Sequence, residues 1–176
     1  MKKLLATHFV FLTAFVILFS VFRDWLNLSF APFWWGSLMG FFLPYVDYVL
    51  YIYLLKPKET VSQEAAALIS SGKVIKAGNN IVASFNDRKN LLMHNASFQA
   101  LFLVFSVWMV TSGNLLGMGI VLAFMLHLIL DQVTDYIELG NIDNWFEGFP
   151  INLDKQQRLW FLIANIIVFL YLGFFF

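Results

Sequence analysis

Residues 115–137 read LLGMGIVLAFMLHLILDQVTDYI, an apolar stretch whose polar side chains gather toward its carboxyl end. A helix of about 20 apolar residues is long enough to cross the hydrocarbon core of a bilayer. The whole chain shares this character, because 60% of its 176 residues are hydrophobic and only 12% are charged. An ordinary soluble domain has about 25% charged residues. The sequence therefore predicts an integral membrane protein.

Charge-free runs divide the rest of the chain into further spans. No Asp, Glu, Lys or Arg occurs from residue 90 to residue 130, and the polar residues 111–114 make a natural turn between two helices there. The first apolar run is longer than a signal-peptide core and no A-x-A site follows it, so we expect it to be retained. We predict one all-α domain, a polytopic membrane bundle of about five helices, with spans at residues 4–22, 32–55, 92–110, 115–137 and 159–176.

Residues 56–89 form a polar loop with six basic and three acidic side chains. Within it, VSQEAAALISS predicts a short helix that ends at Gly72, whereas KVIKAGNNIVASF fits either a second helix or irregular structure. If the spans alternate, this loop and Lys2-Lys3 share one side of the membrane, and an excess of Lys and Arg marks the cytoplasmic side. We therefore expect a bacterial or archaeal cytoplasmic membrane protein with its N-terminus inside.

The three histidines and two isolated aspartates all occur in or beside apolar segments. An ionisable side chain in a membrane span is costly, so it usually has a partner and often a function. On the predicted topology all five lie at the same end of their spans. Imidazole nitrogens and carboxylate oxygens are ligands of zinc and related divalent ions. We predict a shared metal site formed by His8, Asp47, His94, His127 and Asp131.

His127 and Asp131 stand one helical turn apart, so both side chains lie on the same helix face. One cation could therefore bind an imidazole nitrogen and a carboxylate oxygen from this single helix. Asp135 continues the face by another turn, and Thr134 lies next to it. These two side chains are candidates to hydrogen-bond the metal ligands and hold them in place.

Three segments that contain these residues resemble the motif blocks of a known family. They are LPYVDY (43–48), LMHNASF (92–98) and HLILDQVTD (127–135). The resembled family is the YdjM-like family of LexA-regulated, membrane-bound metal-dependent hydrolases, which also has an early Thr-His pair, matched here by Thr7-His8. The resemblance runs in order along most of the chain. It implies a metal-dependent hydrolase that binds metal through the five residues named above.

The chain departs from the family pattern beside its ligands. Tyr45 and Tyr48 stand where the first block has a further aspartate and a histidine, and Asn95 replaces the serine after the central histidine. Asn95 is a third candidate to hydrogen-bond the ligands. The family pattern is distantly similar to that of zinc-dependent phospholipases C, which implies phosphoester or phospholipid substrates.

The resulting hypothesis is a hydrolase that uses one or two divalent ions, zinc first, to activate water against a phosphoester or ester. Asp131 or Asp47 would act as general base. Membrane lipids are the expected partners. The net charge is zero, so the sequence gives no sign of nucleic-acid binding. Two alternatives stay open, a structural metal site without catalysis and a small ion or proton transporter. Four basic side chains of the polar loop are candidates to bind an anionic head group, namely Lys73, Lys76, Arg88 and Lys89.

Overall fold

A computed structural model describes the backbone of residues 2–83 and 91–176, and the side chains of residues 6–78, 80, 81 and 91–176. Over these residues the chain is α-helical and contains no β-strand, which confirms the predicted fold class. A π-helical turn at Tyr51–Leu55 and 3-10 turns at Leu28–Phe30 and Asp143–Phe146 complete the helical structure. The α-helices are α1 (Lys2–Phe22), α2 (Ala31–Leu50), α3 (Thr60–Ser70), α4 (Val74–Ala83), α5 (Ala96–Thr111), α6 (Leu115–Leu139) and α7 (Lys155–Phe175).

Three helical segments are long and apolar enough to cross a membrane, namely Leu28–Leu55, Leu115–Leu139 and Lys155–Phe175. Two further apolar helical segments, Ala6–Phe22 and Ala96–Thr111, are shorter. A span needs about 20 residues when it is not tilted. These segments support a membrane location, while the count of five spans stays a prediction.

Helices α2 and α6 form the central pair, and glycines allow their backbones to touch. A Cβ atom at Gly36 would collide with the carbonyl oxygen of Leu116, and one at Gly40 with that of Ile120. From the other side, Gly119 meets the backbone of α2 in the same way. Small residues are what permit such close helix contacts in membranes. The contact holds α2 against the half of α6 that precedes its polar end.

The other long helices pack around this pair. Helix α6 is buried over almost its whole middle, from residue 118 to residue 129. The ring of Phe19 on α1 stacks on Phe33 of α2 at 4.9 Å, and Phe15 meets Phe169 of α7 at 5.0 Å between ring centroids. Aromatic packing of this kind fixes the lateral position of α1 and α7.

Helices α3 and α4 form a hairpin that packs against the end of α2. The predicted helix in VSQEAAALISS is confirmed, and Gly72 follows it with a left-handed φ of 76°. The ambiguous segment after it forms α4. Ala65, Ala77 and Ile81 of the hairpin bury an apolar face against Ile52.

Helix α5 begins at Ala96, four residues after the start of the third span predicted at about residue 92. The Asn95 side chain accepts a hydrogen bond from the N–H of Ser97 as the N-cap of this helix. Residues 92–94 are not helical because their N–H groups donate to the buried carboxylate of Asp47 on α2. Side-chain acceptors of this kind compete with helical hydrogen bonds. At the other boundary, α7 starts at Lys155, before the predicted residue 159, because Asp154 and Gln157 form a capping box.

Candidate metal centre

The carboxylate of Asp131 lies at the centre of the three histidines. Its Oδ1 atom is 3.0 Å from Nε2 of His8, and its Oδ2 atom is 3.2 Å from Nε2 of His94 and 3.4 Å from Nε2 of His127. The three rings arrive from α1, from the segment before α5 and from α6 itself. All three histidines are buried. Three elements of the fold thus bring one carboxylate and three imidazoles to one place.

The ring of His127 is oriented by the neighbouring helix. Its Nδ1 atom lies 3.0 Å from the carbonyl oxygen of Phe41 in α2. A carbonyl can only accept, so Nδ1 carries the proton and a neutral ring presents the lone pair of Nε2 to Asp131.

Asp47 orients His94 in a similar way. Its Oδ2 atom accepts from Nδ1 of His94 at 2.9 Å, and its two oxygens also accept the backbone N–H groups of Leu92, Met93 and His94 at 2.8 to 3.2 Å. Asp47 is fully buried. These four donors engage both oxygens of the carboxylate. Asp47 was predicted as a metal ligand or general base, and in the structure its two oxygens accept hydrogen bonds from His94 and the segment that carries it.

His94 bridges the two carboxylates through its two nitrogens. Burial by itself lowers the pKa of His94, but hydrogen bonds to Asp131 and Asp47 outweigh it and raise the pKa to about 9. The structure places this residue just before α5 and outside the helical segments that could span a membrane. In the absence of metal, one proton on His94 therefore compensates part of the negative charge of the aspartates.

Three of the residues offer ligand atoms that one metal ion could share. Single nitrogen or oxygen atoms of His8, His127 and Asp131 all lie within 4.8 Å of one another. The lone pair of Nε2 in neutral His127 and the carboxylate of Asp131 repel each other at 3.4 Å unless a cation lies between them. Two imidazoles and a carboxylate are also the ligands of a known class of catalytic zinc site. The residues therefore fit a divalent ion.

Aromatic rings separate the centre from its surroundings. Tyr45 packs edge-on to His127 at 5.2 Å, and Tyr48 and Trp145 flank His94 at 5.8 Å and 5.6 Å between ring centroids. Rings of this size exclude water and lower the local dielectric constant, which strengthens every charge interaction inside.

Trp145 is a functional neighbour that the sequence did not reveal. It lies in the linker after α6, and only 1% of it is exposed. Its indole Nε1 donates to Oδ2 of Asp135 at 2.7 Å, and its ring packs on His94. A buried indole needs an acceptor for its N–H. The H-x-x-x-D-x-x-x-D spacing contained that acceptor, but nothing local connected it to residue 145.

The structure gives contacts for the other predicted side chains. Asp135 accepts a hydrogen bond from Trp145, whose ring packs on His94. The hydroxyl of Thr134 donates to the carbonyl of Leu130 in its own helix. Asn95 caps α5 and donates from Nδ2 to the carbonyl of Glu147. That bond ties the linker after α6 to the segment that carries His94.

The basic residues of the loop do not join the centre in the part of the chain that the structure describes. Lys73 and Lys76 are exposed on the α3–α4 hairpin. They line an open surface groove together with Gly72, Val74 and Ile75. Arg88 and Lys89 lie outside the described residues.

Over the described residues, fold and site define an α-helical protein with three helical segments long and apolar enough to span a membrane, and with a histidine–aspartate centre that could hold a metal ion. No protein-family model, curated protein or solved structure matches this chain. Its function is therefore inferred from the chemistry of the centre.

Proposed function

We propose that this protein is a membrane-embedded, metal-dependent hydrolase. The observation that supports it best is the convergence of three imidazole Nε2 atoms on the single carboxylate of Asp131, at 3.0 to 3.4 Å. A buried cluster of this composition in a membrane protein is costly to fold and is rarely without function. Three protein ligands are what a catalytic zinc ion needs when its fourth position is left for water.

In this proposal one divalent ion, zinc first, binds His8, His127 and Asp131. When bound, such an ion supplies Lewis-acid activation of water and of the substrate oxygen. The compact spacing of the three ligand atoms favours one ion over two, since they lie within 4.8 Å of one another. Phe41 fixes His127 through Nδ1, so only Nε2 of that ring is free to bind the ion.

In this proposal His94 is the general base and Asp47 supports it, and neither residue is a metal ligand. The Nε2 atom of His94 takes the proton that the attacking water releases, and Asp47 stabilises the charged ring through Nδ1, from which it is 2.9 Å away. A carboxylate behind a histidine is a common arrangement for general bases. This assignment revises the sequence-based one, in which His94 was a ligand and an aspartate was the base.

The proposed substrates are phosphoesters or esters, including phospholipids, at the cytoplasmic leaflet of a bacterial or archaeal membrane. Three observations support them. The centre is buried among helices that are apolar enough to span a bilayer, the basic residues concentrate at the loop and the N-terminus, and the motif blocks resemble those of membrane-bound hydrolases.

Metal analysis tests the proposal first. The protein purified in mild detergent is loaded with zinc or manganese, desalted and measured by elemental mass spectrometry. We expect about one equivalent of metal per chain, lost in His127→Ala and in Asp131→Asn. Thr134→Val is the matched control on the same helix, because its hydroxyl bonds only to its own backbone, and it should retain the metal. Equal metal content in all four proteins would reject the centre.

A structural metal site without catalysis is the second candidate. It is favoured by the position of His94, whose Nε2 atom lies 3.2 Å from the same carboxylate oxygen that faces His127. If His94 also binds the ion, four protein ligands close the site, as in structural zinc centres. X-ray absorption spectroscopy separates the two candidates, because a coordinated water is present only in the three-ligand site.

A further inference from the structure

An apolar cavity lies beside the metal centre, between α2 and the α3–α4 hairpin. Its volume is about 260 Å³. Helix α2 and the turn after it contribute Tyr45, Tyr48 and Ile52, and the hairpin contributes Ile69, Ile75 and Ile81. Ligand cavities for drug-sized molecules span roughly 300–1,000 Å³. This cavity is smaller than that range and apolar, so it suits a single hydrocarbon chain.

The cavity shares a wall with the centre. Tyr45 and Tyr48 line the cavity, and the same two rings pack against His127 at 5.2 Å and His94 at 5.8 Å. These two aromatic rings therefore contact both the cavity and the histidines. A chain that fills the cavity would press on these rings and restrict their movement.

The groove that adjoins the cavity combines apolar and positively charged side chains. Val74 and Ile75 line both the cavity and the open groove at the start of α4, and they are 61% and 63% exposed. The same groove is lined by Lys73 and Lys76, whose side chains are also exposed. Exposed aliphatic residues between lysines are typical of a segment that lies at a membrane surface.

We propose that the cavity binds one acyl chain of an anionic membrane phospholipid, with the lipid phosphate held by Lys73 and Lys76. The apolar lining favours a hydrocarbon chain, and the lysines of the groove favour a negative head group. The cavity and the groove adjoin at Val74 and Ile75, which line both. This site is separate from the proposed active site and does not depend on the hydrolase function.

Lipid titration with native mass spectrometry tests the proposal. The whole chain in detergent is titrated with palmitoyl-oleoyl phosphatidylglycerol, with phosphatidylcholine carrying the same acyl chains, and with glycerophosphate. We expect tighter binding of the anionic lipid by about 30-fold at low salt, from two lysines near the head group. Equal binding of both lipids would overturn the role of the lysines, and equal binding of glycerophosphate would overturn the role of the cavity.

Two variants assign the binding to this place. Lys73→Gln combined with Lys76→Gln should remove the preference for the anionic lipid, whereas Lys58→Gln combined with Lys155→Gln, which removes two exposed charges elsewhere, should keep it. Gly78→Leu places a side chain into the cavity lining and should weaken both lipids. Unchanged lipid binding in the Lys73/Lys76 double variant and in Gly78→Leu would reject the site, whatever the metal content of these proteins.

Discussion

The Oδ2 atom of Asp47 lies 2.9 Å from Nδ1 of His94, and the same carboxylate accepts the N–H groups of residues 92–94. One side chain on α2 therefore fixes both the ring of His94 and the backbone that carries it. Histidine ligands and bases commonly depend on such a carboxylate for their tautomer and orientation. The hydrogen bonds also explain why α5 starts late, since these N–H groups are already satisfied.

Asp47→Asn should weaken metal binding or the base function without unfolding the bundle. An amide has one acceptor oxygen and turns its NH₂ group toward donors, so it cannot satisfy all four N–H groups. Loss of a carboxylate behind a histidine typically costs about 10–100-fold in metal affinity or activity. Competition with a chelator measures the metal affinity. Asp24→Asn is the control, because Asp24 is exposed and asparagine tolerates its φ of 57°. Wild-type affinity and activity in Asp47→Asn would refute the positioning role.

His94→Gln distinguishes the two candidate functions. If His94 is the base, the variant keeps its metal but loses about 10²–10⁴-fold in kcat, which is the usual contribution of a general base. KM should change little, because the ring does not bind the ground state in this proposal. Hydrolysis of bis-p-nitrophenyl phosphate, beside elemental analysis of the same samples, provides both readouts. Loss of the metal in this variant would instead support a closed, four-ligand site.

Gly40→Leu should force α2 and α6 apart. The new side chain would meet backbone atoms of Ile120, which cannot move out of the way as a side chain can. Overpacking of a core usually costs about 1–3 kcal/mol, and a backbone collision should reach the upper end. We expect a lower melting temperature and loss of metal, because Phe41 follows Gly40 and holds His127.

Gly173→Ala is the matched control for this helix contact. A Cβ atom at Gly173 would lie 3.5 Å from the Phe15 ring, which is an ordinary contact distance. It should leave melting temperature and metal content near wild-type values. Equal stability of Gly40→Leu and Gly173→Ala would show that the close approach of α2 and α6 is not required.

Trp145→Phe should destabilise the linker after α6. The substitution removes the indole N–H that donates to Oδ2 of Asp135 at 2.7 Å, so this buried carboxylate oxygen loses its hydrogen bond. A hydrogen bond to a charged group contributes about 1.5–3 kcal/mol. The free energy of unfolding in a denaturing detergent measures this loss. Combining Trp145→Phe with Asp135→Leu should cost less than the sum of the single changes, since both partners of the bond are then apolar. Strict additivity would contradict the coupling.

Local sequence patterns predicted most of the helices of this protein. The stretch around residues 115–137 is helical as expected, and α6 extends it only to Leu139, where Gly140 adopts a left-handed φ of 70°. The spacing of His127 and Asp131 also placed both side chains on one face, because helix geometry relates residues one turn apart whatever the rest of the chain does. Burial preference and helix periodicity act over a few residues, so they are visible in the sequence.

Only the tertiary structure assigned different tasks to the two lone aspartates. Asp131 faces three histidine Nε2 atoms, whereas Asp47 is surrounded by N–H groups of a segment 45 to 47 residues away. In the sequence both are single acidic residues in apolar helices, and nothing near them tells them apart. The glycine contact between α2 and α6 decides which groups each carboxylate meets, because it sets the positions of the two helices relative to each other. The sequence alone therefore determined the helices and the donor types, while packing across the bundle determined which donors converge.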